Sequence, residues 1–320
     1  MADQNSNCQP NNWLVFGGNG WIGSQLITLL KELQSKSIIP DRCKSVVEED
    51  RWPQPLPINN IIVASSRLEN RSDVAKELDE VKPQFVINCA GLTGRPNVDW
   101  CEDNKLKVIR VNIIGTLNLM DLCNIRGIKV TNFATGCIYQ YDEEHLPRSG
   151  NTFKEDDQPN FNDSFYSHTK AMMDNIVRYY DNILTLRLRM PISDDLSDRS
   201  FLTKITRYEK VINIPNSMTV LYDLLPIAIH MTITGKVGVY NFTNPGVLSH
   251  NEILDRYIQY IDSNFTYINF TIEEQNKILK AARSNNELDV TKLCSEYPLL
   301  PSINQSIEKV MTRIKLDENS

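Results

Sequence analysis

The sequence predicts an α/β protein, a doubly wound parallel sheet of the Rossmann type with a smaller C-terminal substrate lobe. Apolar strand-like runs alternate with segments of helical apolar spacing up to about residue 190. A glycine-rich turn, Gly17-Gly-Asn-Gly-Trp-Ile-Gly23, stands where the first strand meets the first helix. A chain of 320 residues is also long enough to bury a sizeable core.

Residues 1–11 are polar and read as a flexible arm. Trp13-Leu-Val-Phe16 is the first strand, and Ile22, Leu26, Ile27, Leu29, Leu30 and Leu33 then recur at helical spacing. Residues 37–57 carry four prolines and mixed charges, the makeup of a surface loop near the adenosine end of a nucleotide site. Asn60–Ser65 reads as the second strand, 72–80 as a helix and Gln84–Cys89 as the third strand. A long helical pattern runs from Asp99 to Ile125 and stops at Gly127. Lys129–Phe133 is a strand leading into Thr135-Gly-Cys137, and Asp163 or Ser164 caps the helix that carries Tyr166 and Lys170. Ile183–Leu188 is a further strand. Beyond Pro191 come a strand at Val239–Phe242 and helices near 251–262, 273–284 and 303–315. The expected division is a nucleotide-binding domain over 12–190, carrying the catalytic residues, and a mainly substrate-binding lobe over 191–320.

Hydrophobic residues at 41% and charged residues at 23% are ordinary for a globular protein. A net charge of −6 speaks against nucleic-acid binding. No apolar run approaches the roughly 20 residues of a membrane span, and the polar N-terminus lacks the regions of a signal peptide, which points to the cytosol. Seven scattered cysteines without a C-x-x-C, and only four histidines, suggest neither a metal site nor a disulfide framework.

The turn through Gly17, Asn19, Gly20, Trp21, Ile22 and Gly23 lets backbone amides approach a pyrophosphate at the positive end of a helix. Ala90, Gly91 and Thr93, just past the third strand, belong on the same cofactor. An acid usually holds the ribose at the tip of the second strand; Ser65, Ser66 and Arg67 stand there instead and suit a 2′-phosphate. NADPH is therefore the expected cofactor.

Tyr166 and Lys170 lie one helical turn apart on one face. A lysine ammonium beside a phenol favours the phenolate and lowers the tyrosine pKa, and the phenol can protonate the alkoxide formed by carbonyl reduction. Thr135 can hydrogen-bond the same carbonyl oxygen. Cys137 is not needed for reduction. It is either a core thiol or, facing the pocket, a group for moving protons on carbon beside a ketone.

Longer motifs narrow the choice. Gly91-Leu-Thr-Gly-Arg-Pro-Asn-Val-Asp-Trp-Cys-Glu102, Ala134-Thr-Gly-Cys-Ile138, Ser164-Phe-Tyr-Ser-His-Thr-Lys-Ala171, Leu188-Arg-Met-Pro-Ile192 and Phe201–Lys210 belong together. So do Ile214-Pro-Asn-Ser-Met-Thr219, Asn241–Gly246 and Ser249-His-Asn-Glu252. Over residues 12–315 the chain resembles the bifunctional UDP-4-keto-6-deoxy-glucose 3,5-epimerase/4-reductases, extended short-chain dehydrogenases/reductases that also form the C-terminal half of plant UDP-rhamnose synthases. The resemblance implies epimerisation of UDP-4-keto-6-deoxy-glucose at C3 and C5, then reduction at C4 by NADPH to UDP-β-L-rhamnose. It makes Cys137 and Lys204 the epimerisation pair, without saying which is acid and which is base. Arg95, Asn97, Arg189, Arg207 and Asn216 become substrate-binding candidates. A homodimer paired through two helices per subunit, and a separate enzyme supplying the ketone, are further implications.

Reductase-only chemistry and a non-catalytic NADPH-sensing role are the rival readings. A sugar-nucleotide 4,6-dehydratase would carry an acidic pair after the threonine, where this chain has Gly136-Cys137.

Overall fold

The computed structural model describes residues 11–36 and 38–318, so the arm expected over 1–11 lies outside the described residues except for Asn11. The chain runs β1 (Asn12–Phe16), α1 (Trp21–Ser35), α2 (Asp41–Lys44), β2 (Asn60–Val63), α3 (Arg71–Val81), β3 (Phe85–Asn88) and α4 (Asp99–Asp103). It continues through α5 (Lys105–Val108), α6 (Thr116–Ile125), β4 (Val130–Thr135), α7 (Phe165–Val177), β5 (Ile183–Leu188), α8 (Phe201–Ile205) and β6 (Lys210–Val211). The remainder is α9 (Leu221–Ile233), β7 (Gly238–Asn241), α10 (His250–Tyr260), β8 (Ile268–Asn269), α11 (Ile272–Ile278), α12 (Thr291–Glu296) and α13 (Ile303–Glu318).

Six parallel strands form one sheet in the order β2-β1-β3-β4-β5-β7. Helices cover both faces, which is why β3 and β5 are buried at every residue. One face packs α1 and α9 in a core built on Trp13, Val15, Leu26, Leu30, Leu186 and Ile229. The other packs α3, α6 and α7 around Leu14, Phe16, Leu78, Leu119 and Val177. Strand order reverses between β1 and β3, the crevice where ligands bind in such sheets.

Four expectations change in detail. The helix expected from Asp99 to Ile125 breaks at Asn104, and its middle, Ile109–Gly115, is wound as a π-helix. The segment Lys105–Ile125 is long and apolar enough to cross a bilayer, but Val108, Leu119, Met120, Leu122 and Cys123 spend its apolar face on the core. The helix expected over 273–284 ends at Ile278. Beyond it an extended stretch is tied down by Ala281 N–H donating to Asp99 and Asn285 N–H to Gln140.

Residues 38–58 form no surface loop. Ile39, Cys43, Val46, Val47, Trp52 and Ile58 are buried in the core beside α9. Arg42 donates to the Leu221 and Tyr222 carbonyls, and Arg51 to that of Glu296. The apolar spacing here is irregular and the prolines dominate the composition, which hides the burial. The lobe is also discontinuous, because α9 and β7 return to the main sheet. The rest of the lobe has its own core, including Ile192, Leu202, Met218, Leu254 and Ile307.

Candidate active site

The glycine turn closes against the tip of β3. Gly17 has φ +70°, open to glycine and costly for a side chain, and a Cβ there would stand 2.6 Å from the Ala90 nitrogen. A Cβ on Gly23 would stand 2.3 Å from the Gly17 carbonyl. The Gly20 amide donates back to that carbonyl at 2.9 Å. These contacts leave a backbone cradle at the start of α1, the fit a pyrophosphate requires. Gly20, Trp21, Ile22, Ala90, Gly91 and Thr93 line a cavity of about 400 Å³ above it, while Asn19 is exposed outside.

The far wall of the same cavity holds Thr135, Cys137, Tyr166, Lys170 and Lys204. Three local structures aim them. Thr135 ends β4, and its hydroxyl accepts from the Cys137 amide at 3.1 Å. Ser164 caps α7 by accepting from the Ser167 amide at 3.1 Å, setting the helix that carries Tyr166 and Lys170. Lys204 sits on α8 at the cavity's lobe side.

The electrostatics differ from the sequence expectation at one point. Burial, then Cys137, pushes the Tyr166 phenol above its usual value, and its hydrogen bond with Thr135 only partly offsets this. The Lys170 ammonium, 6.0 Å from the Tyr166 ring centre, does not reverse that direction. Tyr166 is thus held as a proton donor by the protein's own groups. Burial lowers Lys170 to about 8. Lys204 is lowered as well, by burial and then by Arg199.

A second cavity, of about 520 Å³, opens on the lobe side and shares Asn97, Cys137, Tyr166 and Arg283 with the first. Arg207 lines it and pairs with Asp198; Arg189 also lines it. Two expected substrate residues are not brought in. Arg95 is exposed and lines neither cavity. Asn216 is fully buried and spent on Arg189, Ile214, Asn285 and Asn286.

The tip of β2 needs a similar correction. Ser65 and Ser66 give amides and hydroxyls to the Glu77 carboxylate on α3, at 2.7 Å for the Ser65 amide. Their hydroxyls are therefore engaged. Arg67, its side chain 86% exposed, remains with Arg71 and Arg110 around an open depression.

Sequence reasoning missed Asn112, Arg199 and Arg283. Asn112, buried in the π-helix, grips the Leu92 backbone through N–H and C=O at 2.8 and 2.9 Å. A π turn in the middle of a helix was the structural signal. Arg199 donates to Thr93 at 3.2 Å across the first cavity, and Arg283 to Asp99 at 2.9 Å. Nothing local in the sequence marks either contact.

Residues 13–205 match the model of the NAD dependent epimerase/dehydratase family. The chain is 49% identical, over 97% of its length and 95% of the relative's, to an Arabidopsis thaliana bifunctional dTDP-4-dehydrorhamnose 3,5-epimerase/dTDP-4-dehydrorhamnose reductase. It is also 49% identical to an Arabidopsis trifunctional UDP-glucose 4,6-dehydratase/UDP-4-keto-6-deoxy-D-glucose 3,5-epimerase/UDP-4-keto-L-rhamnose-reductase, over 97% of this chain but 43% of that protein. Among solved structures, the UDP-rhamnose synthase of Acanthamoeba polyphaga mimivirus superposes with a TM-score of 0.83 at 36% identity, covering 94% of this chain and 99% of that one.

Proposed function

Since the chain belongs to the NAD dependent epimerase/dehydratase family, we propose that it is a bifunctional enzyme of UDP-rhamnose synthesis. It epimerises UDP-4-keto-6-deoxy-D-glucose at C3 and C5, then reduces C4 with NADPH to give UDP-β-L-rhamnose. Its bifunctional and trifunctional relatives both carry a 3,5-epimerase and a reductase in their names, the first for the dTDP sugar and the second for the UDP sugar. The observation that carries the reading is a single cavity whose lining includes Thr135, Cys137, Tyr166, Lys170 and Lys204.

A ketone oxygen held between the Thr135 and Tyr166 hydroxyls serves both reactions. In the first, the hydrogens flanking C4 are acidic because the carbanion becomes an enolate, whose charge those hydrogen bonds stabilise. Cys137 and Lys204 exchange protons with C3 and C5. In the second, Tyr166 gives its proton to the C4 oxygen, and the Lys170 charge stabilises the phenolate left behind. NADPH, when bound, supplies the hydride.

Gly20, Trp21, Ile22, Ala90, Gly91, Thr93 and Lys170 would hold the dinucleotide, with Arg67 reading the 2′-phosphate. Asn97, Arg189 and Arg207 would contact the sugar nucleotide from the second cavity. The reading includes a cytosolic homodimer. In support of pairing, Leu106 and Ile114 stand exposed along 105–125, as do Met172 and Ile176 on α7.

The decisive assay is product identification by NMR after incubation with UDP-4-keto-6-deoxy-glucose and NADPH, with the dTDP sugar in parallel. UDP-β-L-rhamnose is expected, and it should form faster than the dTDP product. Recovery of unchanged ketone would reject the proposal. Reduction without inversion would leave a reductase alone.

A further inference from the structure

The first cavity is charged in one sense only. Among the described residues, Lys170, Arg199, Lys204 and Arg283 line it and no carboxylate does. Arg283 is compensated by Asp99. Arg199 forms no ion pair among the described residues, and its guanidinium has one neutral bond, to the Thr93 hydroxyl at 3.2 Å. Burial and then Arg95 work against its charge, and Arg199 in turn works against that of Lys204. Cations gathered in a partly buried wall without an acid are relieved by an anionic ligand.

The position of Arg199 says which anion. It lines the first cavity and not the second, whose arginines are Arg189, Arg207 and Arg283. It belongs to a loop, 193–200, whose ends are pinched together: the Ser200 hydroxyl donates to the Ser193 carbonyl and accepts from the Ser193 amide, each at 3.3 Å. Between those ends, Asp195 accepts from the Trp21 indole N–H at 2.6 Å and from the Gln25 side-chain amide at 3.0 Å. Both donors stand on α1, the helix that begins at the glycine cradle. Arg313 on α13 holds the neighbouring Asp194 from the lobe. Thr93, past the tip of β3, shares the cavity wall with Gly20 and Trp21. The loop thus spans from the lobe to the two elements that form the dinucleotide site.

Resting on the dinucleotide binding proposed above, we infer that loop 193–200 is a clasp over the cofactor, in which Arg199 exchanges its bond to Thr93 for the anionic oxygens of the dinucleotide pyrophosphate. The cradle meets those oxygens with backbone amides, and the guanidinium adds a full charge from the lobe. Two arginines then divide the cofactor between them. Arg67 reads the 2′-phosphate that only NADPH carries, and Arg199 holds the bridge that NADPH and NADH share. Arg199 therefore adds affinity without adding choice. Cofactor binding also extends beyond residues 12–190, the part to which the sequence assigns it.

The test is binding without turnover. Fluorescence titration should show Arg199→Met weakening NADPH and NADH alike, by about ten- to a hundredfold, the range for a hydrogen bond to a charged group. Arg199→Lys should restore part of the loss, as a charge without the planar fork. By calorimetry, adenosine 2′-monophosphate, which lacks the pyrophosphate, and UDP should bind the variant as they bind the parent. Unchanged dinucleotide binding, or any loss of UDP binding, would overturn the clasp. If Arg199→Met does not fold, hydrogen exchange in the parent decides. The peptide over 193–200 should exchange more slowly with NADPH or NADH bound and at an unchanged rate with UDP. Slowing by UDP, or no slowing by either dinucleotide, would overturn it too. No sugar substrate enters these measurements. A parent that binds no dinucleotide would bring down the function proposed above and the clasp with it, whereas tight binding indifferent to Arg199 removes the clasp alone.

Discussion

Replacing Trp52 with alanine tests whether residues 38–58 are part of the core. Trp52 is 2% exposed and meets the His230 ring edge-on at 5.2 Å, against the layer of α9. Truncating a buried tryptophan costs about 3–5 kcal/mol. Its indole N–H is buried without a partner among the described residues, so the variant also removes a group that itself costs about 1–3 kcal/mol. The expectation therefore falls at the low end, about 3 kcal/mol. With an unfolding entropy of about 2.1 cal/mol/K per residue, that lowers Tm by about 4–5 °C for a chain of this length. Thermal melts and urea titrations read the change, and NADPH binding checks that the variant remains native. A surface loop would lose no more than about 0.5 kcal/mol. A Tm within about 1 °C of the parent would refute the burial argument.

Three further outcomes follow from the site. Lys170 is charged below about pH 8 and neutral above it, so single-turnover reduction should fall as pH rises through 8. A rate that stays flat well past that point would contradict the role of its charge. Gly23→Ala would set a Cβ 2.3 Å from the Gly17 carbonyl, and should weaken NADPH binding at least about tenfold, near 1.4 kcal/mol; an unchanged Kd by fluorescence titration would count against the cradle. Arg67→Ala should weaken NADPH by several-fold and leave NADH nearly unaffected, since only the former carries the 2′-phosphate. Equal losses for both would remove Arg67 from that role.

Local patterns carried much of this fold into view. The strand, glycine turn and helix over 13–33 are visible because burial on both faces of a parallel strand and one face of a helix leaves distinct spacings. Tyr166 and Lys170 are visible because one helical turn must join them. The hidden parts depend on contacts between distant segments. Arg189 meets Ser284, 95 residues later, and the stretch holding Ser284 resembles the continuation of α11 because its tethers are backbone amides. Asn216 is a substrate candidate in the sequence, yet its amide is consumed by Arg189 and its neighbours. Ser65 and Ser66 gave no sign of Glu77, a residue one βα unit away whose carboxylate closes over them. Polar side chains do not announce whether a ligand or the fold itself will use them.

Deuterium can tell whether one cavity serves both reactions. The parent, given UDP-4-keto-6-deoxy-glucose and NADPH in deuterated water, should return UDP-β-L-rhamnose labelled at C3 and C5. Cys137→Ala should place no deuterium at either carbon, yet still oxidise NADPH when given the already epimerised 4-keto sugar. Label at C3 and C5 in that variant would contradict the shared-cavity mechanism.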